Sequence, residues 1–219
     1  MQVEPVTLEG TLVRLVPLAL DHVDALCHVG LEPSIWRWMP IAATNRDGMK
    51  AFVTEALDEQ RDGTSLPFAT TLRDTGQVVG STRFLSIVPE HRRVEIGATW
   101  IAPPWQRTRV NTEAKYVMLR HAFEVWKCMR VELKTNALNE ASRTAILRIG
   151  AAEEGTFRKH MLNADGSIRD SVYFSVVDDE WPAVKATLEA MMASPQSPVR
   201  ASATGDSARE VEKNHELPP

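Results

Sequence analysis

The stretch Trp105–Lys115 reads W-Q-R-T-R-V-N-T-E-A-K. It lies between a run with strand character, Glu95–Ile101, and a run with helical character, Thr112–Trp126. A loop that leads into a helix presents main-chain N–H groups that no helical carbonyl satisfies, and the helix dipole adds positive potential there. Arg107 and Arg109 bring two guanidinium groups to the same loop. Unpaired donors, dipole and arginines together suit a phosphate group. Outside such a setting the two arginines would read as solvated surface charges. No Gly-Lys-Ser/Thr sequence accompanies the loop, which argues against a nucleoside triphosphate.

The elements around the loop must hold it in place. Leu12–Pro17 alternates and predicts a first strand. Asp21–Val29 and Asp47–Arg61 carry helical apolar faces, with Asp21 as N-cap of the former. Between them Ile35–Pro40, I-W-R-W-M-P, is an aromatic-rich linker. Phe68–Arg73 and Val78–Ile87, joined by Asp74-Thr75-Gly76-Gln77, predict a hairpin, and Arg93–Ile101 adds a third strand. After the helix Thr112–Trp126 come a short strand Val131–Thr135 and a helix Asn139–Ile149 closed by Gly150. Glu153–Met161 and Ile168–Val177 flank a second hairpin turn at Asn163–Ser167. Asp178–Met192 ends the pattern as a helix with Pro182 in its first turn. The order predicts a mixed α/β fold, a mostly antiparallel sheet flanked by helices, in a single domain over residues 1–193. Residues 194–219, rich in Ser, Ala, Pro and charge, read as a disordered tail.

Composition narrows the class. The chain of 219 residues is 43% hydrophobic and 25% charged, with a formal net charge of −4. That balance offers no global attraction to nucleic acid or to an anionic membrane. No apolar run approaches the ~20 residues of a membrane-spanning helix, and the first residues lack a signal pattern. Cys27 and Cys128 sit in apolar, helix-like contexts and read as reduced core thiols of a cytoplasmic protein. No Cys, His and carboxylate cluster has metal-ligand spacing, so no metal is expected. Trp126, Met129, Phe157 and Phe174 read as core, and His121 as a packed helix histidine.

These motifs resemble one family. Glu95-Ile96-Gly97-Ala98-Thr99-Trp100, the loop Trp105–Asn111, the helix start Thr112-Glu113-Ala114, the opening Asn139-Glu140-Ala141-Ser142 and the strand Tyr173-Phe174-Ser175-Val176 carry the likeness. The chain resembles the GCN5-related N-acetyltransferases, the GNAT fold, in the branch that includes the ribosomal-protein-alanine N-acetyltransferases. The likeness spans about residues 7–192. It implies an acetyl-CoA-dependent transfer of an acetyl group to a primary amine, of a protein N-terminus or a small molecule, directly in a ternary complex. A catalytically degenerate acyl-CoA-binding or regulatory module is the alternative, and scaffolding through the tail a third.

The resemblance also implies roles. In that family the loop is Gln/Arg-x-x-Gly-x-Gly/Ala and its amides hold the CoA pyrophosphate. Gln106 matches the first position, whereas Arg109 and Asn111 replace glycine or alanine, and Arg107 stands where branch members often have a further glycine. The implied cofactor contacts are thus Gln106, Arg107, Thr108, Arg109, Val110, Asn111 and Thr112, with the main chain of Thr99, Trp100 and Ile101 receiving the pantetheine arm and the thioester oxygen. Glu95 is the implied general base; a structural carboxylate is its rival reading, and His91, Asp170 or water the other proton acceptors. Ser142 is the implied hydroxyl near the sulfur, because the position of the family's tyrosine acid is Ile146. Asn139 matches the residue that binds pantetheine amides, although asparagine and serine also open helices for their own sake. Trp36, Trp38 and Met39 fall where the fold builds its acceptor mouth, to line a pocket or to cap the sheet. Acetyl-CoA and an amine are the only implied partners; a homodimer suits related folds.

Overall fold

A computed structural model describes residues 1–194 of the chain. The expected tail lies outside the described residues, apart from Ser194. One eight-stranded sheet runs in the order β1-β2-β3-β4-β5-β6-β8-β7. Its strands are β1 Leu8–Glu9, β2 Val13–Pro17, β3 Leu66–Leu72, β4 Val78–Val88, β5 Arg93–Ile101, β6 Arg130–Asn136, β7 Ala152–Leu162 and β8 Ile168–Val177. Every neighbouring pair is antiparallel except β5 and β6. A parallel pair needs a crossover, and helix α4, Arg109–Arg120, supplies it. This is the mixed α/β architecture expected; β1 is an addition that its two residues did not announce.

Two apolar clusters sandwich the sheet. On one face, Val13, Leu15, Phe68, Phe84, Val94, Ile96, Leu133 and Phe174 meet Val117 and Met118 of α4, Ile146 of α5 (Glu140–Arg148) and Leu188 of α6 (Trp181–Ala193). On the other, α1 (Val23–Gly30), the short α2 (Pro33–Trp36) and α3 (Arg46–Arg61) pack Leu26, Trp36, Phe52 and Val53 against Ala69, Val78 and Trp100. The two core-forming faces explain why β3 is buried at every position.

Local chemistry moves several predicted boundaries. A 3-10 turn, Leu20–His22, precedes α1, so Asp21 lies inside a turn and does not cap the helix. Asn45 caps α3, its Oδ1 accepting from Gly48 N–H at 2.8 Å. The helix expected from Thr112 starts at Arg109, and its end is a π-helical turn, His121–Val125. Phe157 is 56% and Met129 40% exposed, so neither is core. Cys128 is buried, whereas Cys27 is only partly so.

Candidate active site

The parallel pair β5–β6 is short. Arg93, Val94 and Glu95 oppose Arg130, Val131 and Glu132, and there the pairing ends. Beyond that point β5 continues to pair with β4, and β6 with β8. The edges of Ile96–Ile101 and of residues 133–136 therefore diverge, with ladder donors and acceptors left for a third, extended group. Within the wedge β5 bulges: Arg83 opposes Gly97 and Ser81 opposes Trp100, so Ala98 and Thr99 together face Thr82. Ala98 accordingly has φ +45°. Bulges re-aim main-chain groups beside functional sites.

A lysine that sequence reasoning missed supports the bulge from below. Lys115 is buried, and its Nζ donates to Thr99 Oγ1 at 2.7 Å, with Thr82 Oγ1 a further 2.7 Å from that hydroxyl. Burial pushes the Lys115 ammonium down to about 7, opposed by the charge of Glu95. The side chains of Trp100 and Ile101 are core, so only their main chain is available to a ligand.

At the wide end of the wedge lie residues 102–108 and the start of α4. Gln106 turns its amide back, Nε2 donating to the Ile101 carbonyl at 2.9 Å. Thr108 is the N-cap, accepting from Val110 N–H at 3.3 Å and donating to the Trp105 carbonyl at 2.7 Å. Arg109, Val110 and Asn111 form the first helical turn instead of the loop, so their N–H groups are the first-turn donors. Val110 is fully buried, and Thr112 accepts from Arg148 Nη2 at 2.9 Å, tying α4 to α5. Arg109 Nη1 bonds the Met192 carbonyl of α6. Asn111 Oδ1 is a buried acceptor without a hydrogen-bond partner among the described residues.

The glycine-demanding position is Arg107, at φ +60°. A left-handed conformation costs an L-residue about 1–2 kcal/mol, while glycine loses about 0.5–1 kcal/mol more on folding. Arg107→Gly should therefore leave stability unchanged or raise it by up to about 1 kcal/mol, read from the urea midpoint. A loss of more than about 1 kcal/mol would show that the Arg107 side chain holds the loop.

The other wall of the site is the opposite face of the sheet. Val94 and Ile96 point to the α4 side, so alternation sends Glu95 the other way. Glu95 is 3% exposed, and its Oε2 is paired with Lys134 Nζ at 2.9 Å. A Cβ on Gly97 would sit 2.7 Å from Glu95 Oε1, so only glycine lets the carboxylate occupy this place. Register then aligns a polar floor. Lys134 opposes Tyr173, and Asn136 opposes Ser171. His160 meets Ser171 Oγ at 3.0 Å and Tyr173 Oη at 3.5 Å. Burial first, then Lys134 and Arg169, push the His160 imidazole below its ordinary pKa.

The aromatic linker closes this floor at one side. Arg169 Nη1 donates to the Trp38 carbonyl at 3.2 Å and Ala164 N–H to the Met39 carbonyl at 3.1 Å. Trp38 and Met39 are partly exposed. Trp36 is not available to a substrate: it is 2% exposed, bonds the Gly30 carbonyl through Nε1 at 2.8 Å and meets Phe52 and Trp100. The two indoles are thus not buried together; one is core and one lies at the mouth.

Of the remaining candidates, Asn139 caps α5, its Oδ1 accepting from Ser142 N–H at 3.1 Å. Ser142 is partly exposed, and Ile146 is in the core. His91 is exposed in the turn before β5, at the far end of that strand from the bulge. Asp170 Oδ1 accepts from Lys159 N–H at 2.6 Å. Lys134, His160, Arg169 and Tyr173 were missed, although Lys134-x-Asn136 and Arg169-x-Ser171-x-Tyr173 show period-two polarity.

Residues 13–152 match the family model described as an acetyltransferase (GNAT) domain. Among curated proteins, the chain is 33% identical over 110 residues, 50% of its length, to YdaF of Bacillus subtilis (strain 168), named there as a candidate ribosomal N-acetyltransferase. The chain spans 59% of the length of YdaF and 58% of that of another relative from the same strain. The crystal structure of a GCN5-related N-acetyltransferase from Brucella melitensis superposes with a TM-score of 0.80 at 31% identity, covering 87% of each chain. Mycobacterium smegmatis RimJ in complex with CoA-disulfide shares the fold, with a TM-score of 0.72 at 23% identity over 82% of this chain and 89% of that one.

Proposed function

We propose, for a chain that belongs to the GNAT acetyltransferase family and is an N-acetyltransferase, that it transfers acetyl from acetyl-CoA directly to a primary amine within a ternary complex. The observation that carries this reading is the divergence of β5 and β6 immediately after Glu95, with the α4 N-terminus at its wide end. Unpaired strand edges suit the amide-bearing arm of CoA, and the first-turn N–H groups of α4 with Arg107 suit its pyrophosphate. Asn111 Oδ1, unpartnered among the described residues, is an acceptor for a ligand donor in the same turn. Acetyl-CoA supplies an activated acetyl thioester.

The chain's own residues supply the rest. The re-aimed main chain of the Ala98–Thr99 bulge donates to developing negative charge on the carbonyl oxygen, and Lys115 holds Thr99 in register beneath it. Glu95 takes the proton that the acceptor ammonium must lose. Lys134 orients that carboxylate. Ser142, partly exposed on the first turn of α5, donates to the departing sulfur. A covalent acetyl-cysteine route is disfavoured, because Cys27 lies in α1 and burial pushes the Cys128 thiol up to about 11. Residues 1–193 act as one domain in this reading, a cytoplasmic enzyme compatible with a homodimer. Among the described residues no helix is long and apolar enough to cross a membrane.

The test is calorimetry with acetyl-CoA followed by thiol release with a panel of primary amines. Micromolar binding with amine-dependent release is expected. No binding sinks the reading, and binding without release from any amine leaves a CoA-binding module in its place.

A further inference from the structure

The floor beside Glu95 contains a buried cation with no acid of its own. Arg169 is 6% exposed. Its Nε donates to Ser171 Oγ at 3.0 Å and its Nη1 to the Trp38 carbonyl at 3.2 Å. Both acceptors are neutral. The carboxylate that acts on Arg169 through space is Glu95, and that group already pairs with Lys134 at 2.9 Å. The acids of the same hairpin are engaged elsewhere: Glu153 pairs with Arg143, Glu154 with Arg130, Asp165 accepts from Ser167 and Asp170 from Lys159. Among the described residues no carboxylate forms an ion pair with Arg169. A guanidinium taken out of water without a counter-ion is costly, and a chain that keeps one there has a use for an anion.

The surroundings of Arg169 agree. Lys134, Arg169 and the titratable His160 share the floor with Glu95; the next carboxylates along this face, Glu132 beside Glu95 and Glu154 at Ser175, are paired with Arg93 and Arg130. Ser171 Oγ and Tyr173 Oη add hydroxyls on the same face. Arg37 lies over the Trp38 ring at the rim. A polycationic acceptor would meet repulsion here. An amine that also carries a negative group would place its nitrogen at Glu95 and its anion among the donors.

We propose that the acceptor is an anionic amine, bearing a carboxylate or a phosphate close to its amino group, and that Arg169 receives that anion. This rests on the reading that Glu95 faces the acceptor amine. The two sources of negative charge are separable by experiment.

Thiol release from acetyl-CoA is measured with the full chain and paired amines: each amino acid against its carboxamide, and ethanolamine phosphate against ethanolamine. The anionic member of at least one pair is expected to exceed its neutral partner about 10- to 100-fold in kcat/KM. The carboxylate pairs and the phosphate pair tell the sources apart. In Arg169→Gln the ratio should fall towards one, and Arg169→Lys should retain part of it. In parallel, calorimetry of N-acetyl amino acids and their amides against the protein–CoA complex reads the same preference without turnover. Equal rates or equal binding within every pair overturn the proposal, as does a preference that survives in a folded Arg169→Gln. Should that variant not fold, the paired comparison on the unaltered protein decides alone. Absence of acetyl-CoA binding would instead remove the function on which the proposal stands.

Discussion

Replacing Glu95 by glutamine is expected to lower kcat by about 10²- to 10⁴-fold, the span of general-base contributions, while acetyl-CoA binding stays within about twofold. The side chain is isosteric, so the packing against Gly97 is preserved. The amide oxygen can still accept from Lys134, whose Nζ stands 2.9 Å from Oε2. What is lost is the capacity to take a proton. The separation matters because Glu95 faces away from α4, whose first turn is assigned to the pyrophosphate. A variant that loses acetyl-CoA affinity in proportion to its rate would make Glu95 a structural carboxylate. A rate within threefold of the unaltered protein would transfer the role of base to water or to another group.

Glu113→Ala is expected to destabilise the fold by about 3–5 kcal/mol, because it removes the one acceptor of a buried hydrogen-bond set. Glu113 is 3% exposed. Its Oε1 accepts from Thr11 N–H at 2.8 Å and from Thr11 Oγ1 at 2.6 Å. Its Oε2 accepts from the N–H groups of Leu12 and Val13, each at 2.7 Å. The carboxylate thus holds the turn between β1 and β2 against the second turn of α4. Gly10 must be glycine for this approach, since a Cβ there would lie 2.5 Å from the Glu113 carboxyl carbon. Glutamine at 113 would present an NH2 group to main-chain donors, so Glu113→Gln should recover little of the loss. The check is urea denaturation: the midpoint falls and the slope is unchanged. An unaltered midpoint with weakened acetyl-CoA binding would assign Glu113 to the ligand and not to the scaffold. A loss of this size is a large part of the ~5–15 kcal/mol that ordinarily separates folded from unfolded chains.

Much of the architecture is legible in local sequence. The turn Asp74–Gln77 joins antiparallel β3 and β4, and Asn163–Ser167 joins β7 and β8, where glycines at positive φ let the chain reverse. Pro182 opens α6 and Asn139 caps α5. The start of α4 is less legible. Arg109, Val110 and Asn111 have no special helix signal, and Thr108 closes its own cap through the Trp105 carbonyl. The aromatic linker misleads for another reason. Trp36 and Trp38 are alike in sequence, but only the packing of Phe52 and Trp100 around Trp36 distinguishes core from mouth.

The sequence by itself determined the element order, the strand–loop–helix setting of Trp105–Asn111 and the presence of Glu95 on the strand before it, because periodicity, turn residues and caps act over a few neighbouring residues. Tertiary structure decided which charges meet. Glu95 and Lys134 are 39 residues apart in the chain, Lys115 and Thr99 are 16 apart, and Arg169 reaches Trp38 across 131. Their encounters follow from strand register, from a crossover helix and from a bulge whose positive φ falls on an alanine. Each of these is a long-range choice, made by what the whole sheet can bury, and no local pattern encodes it.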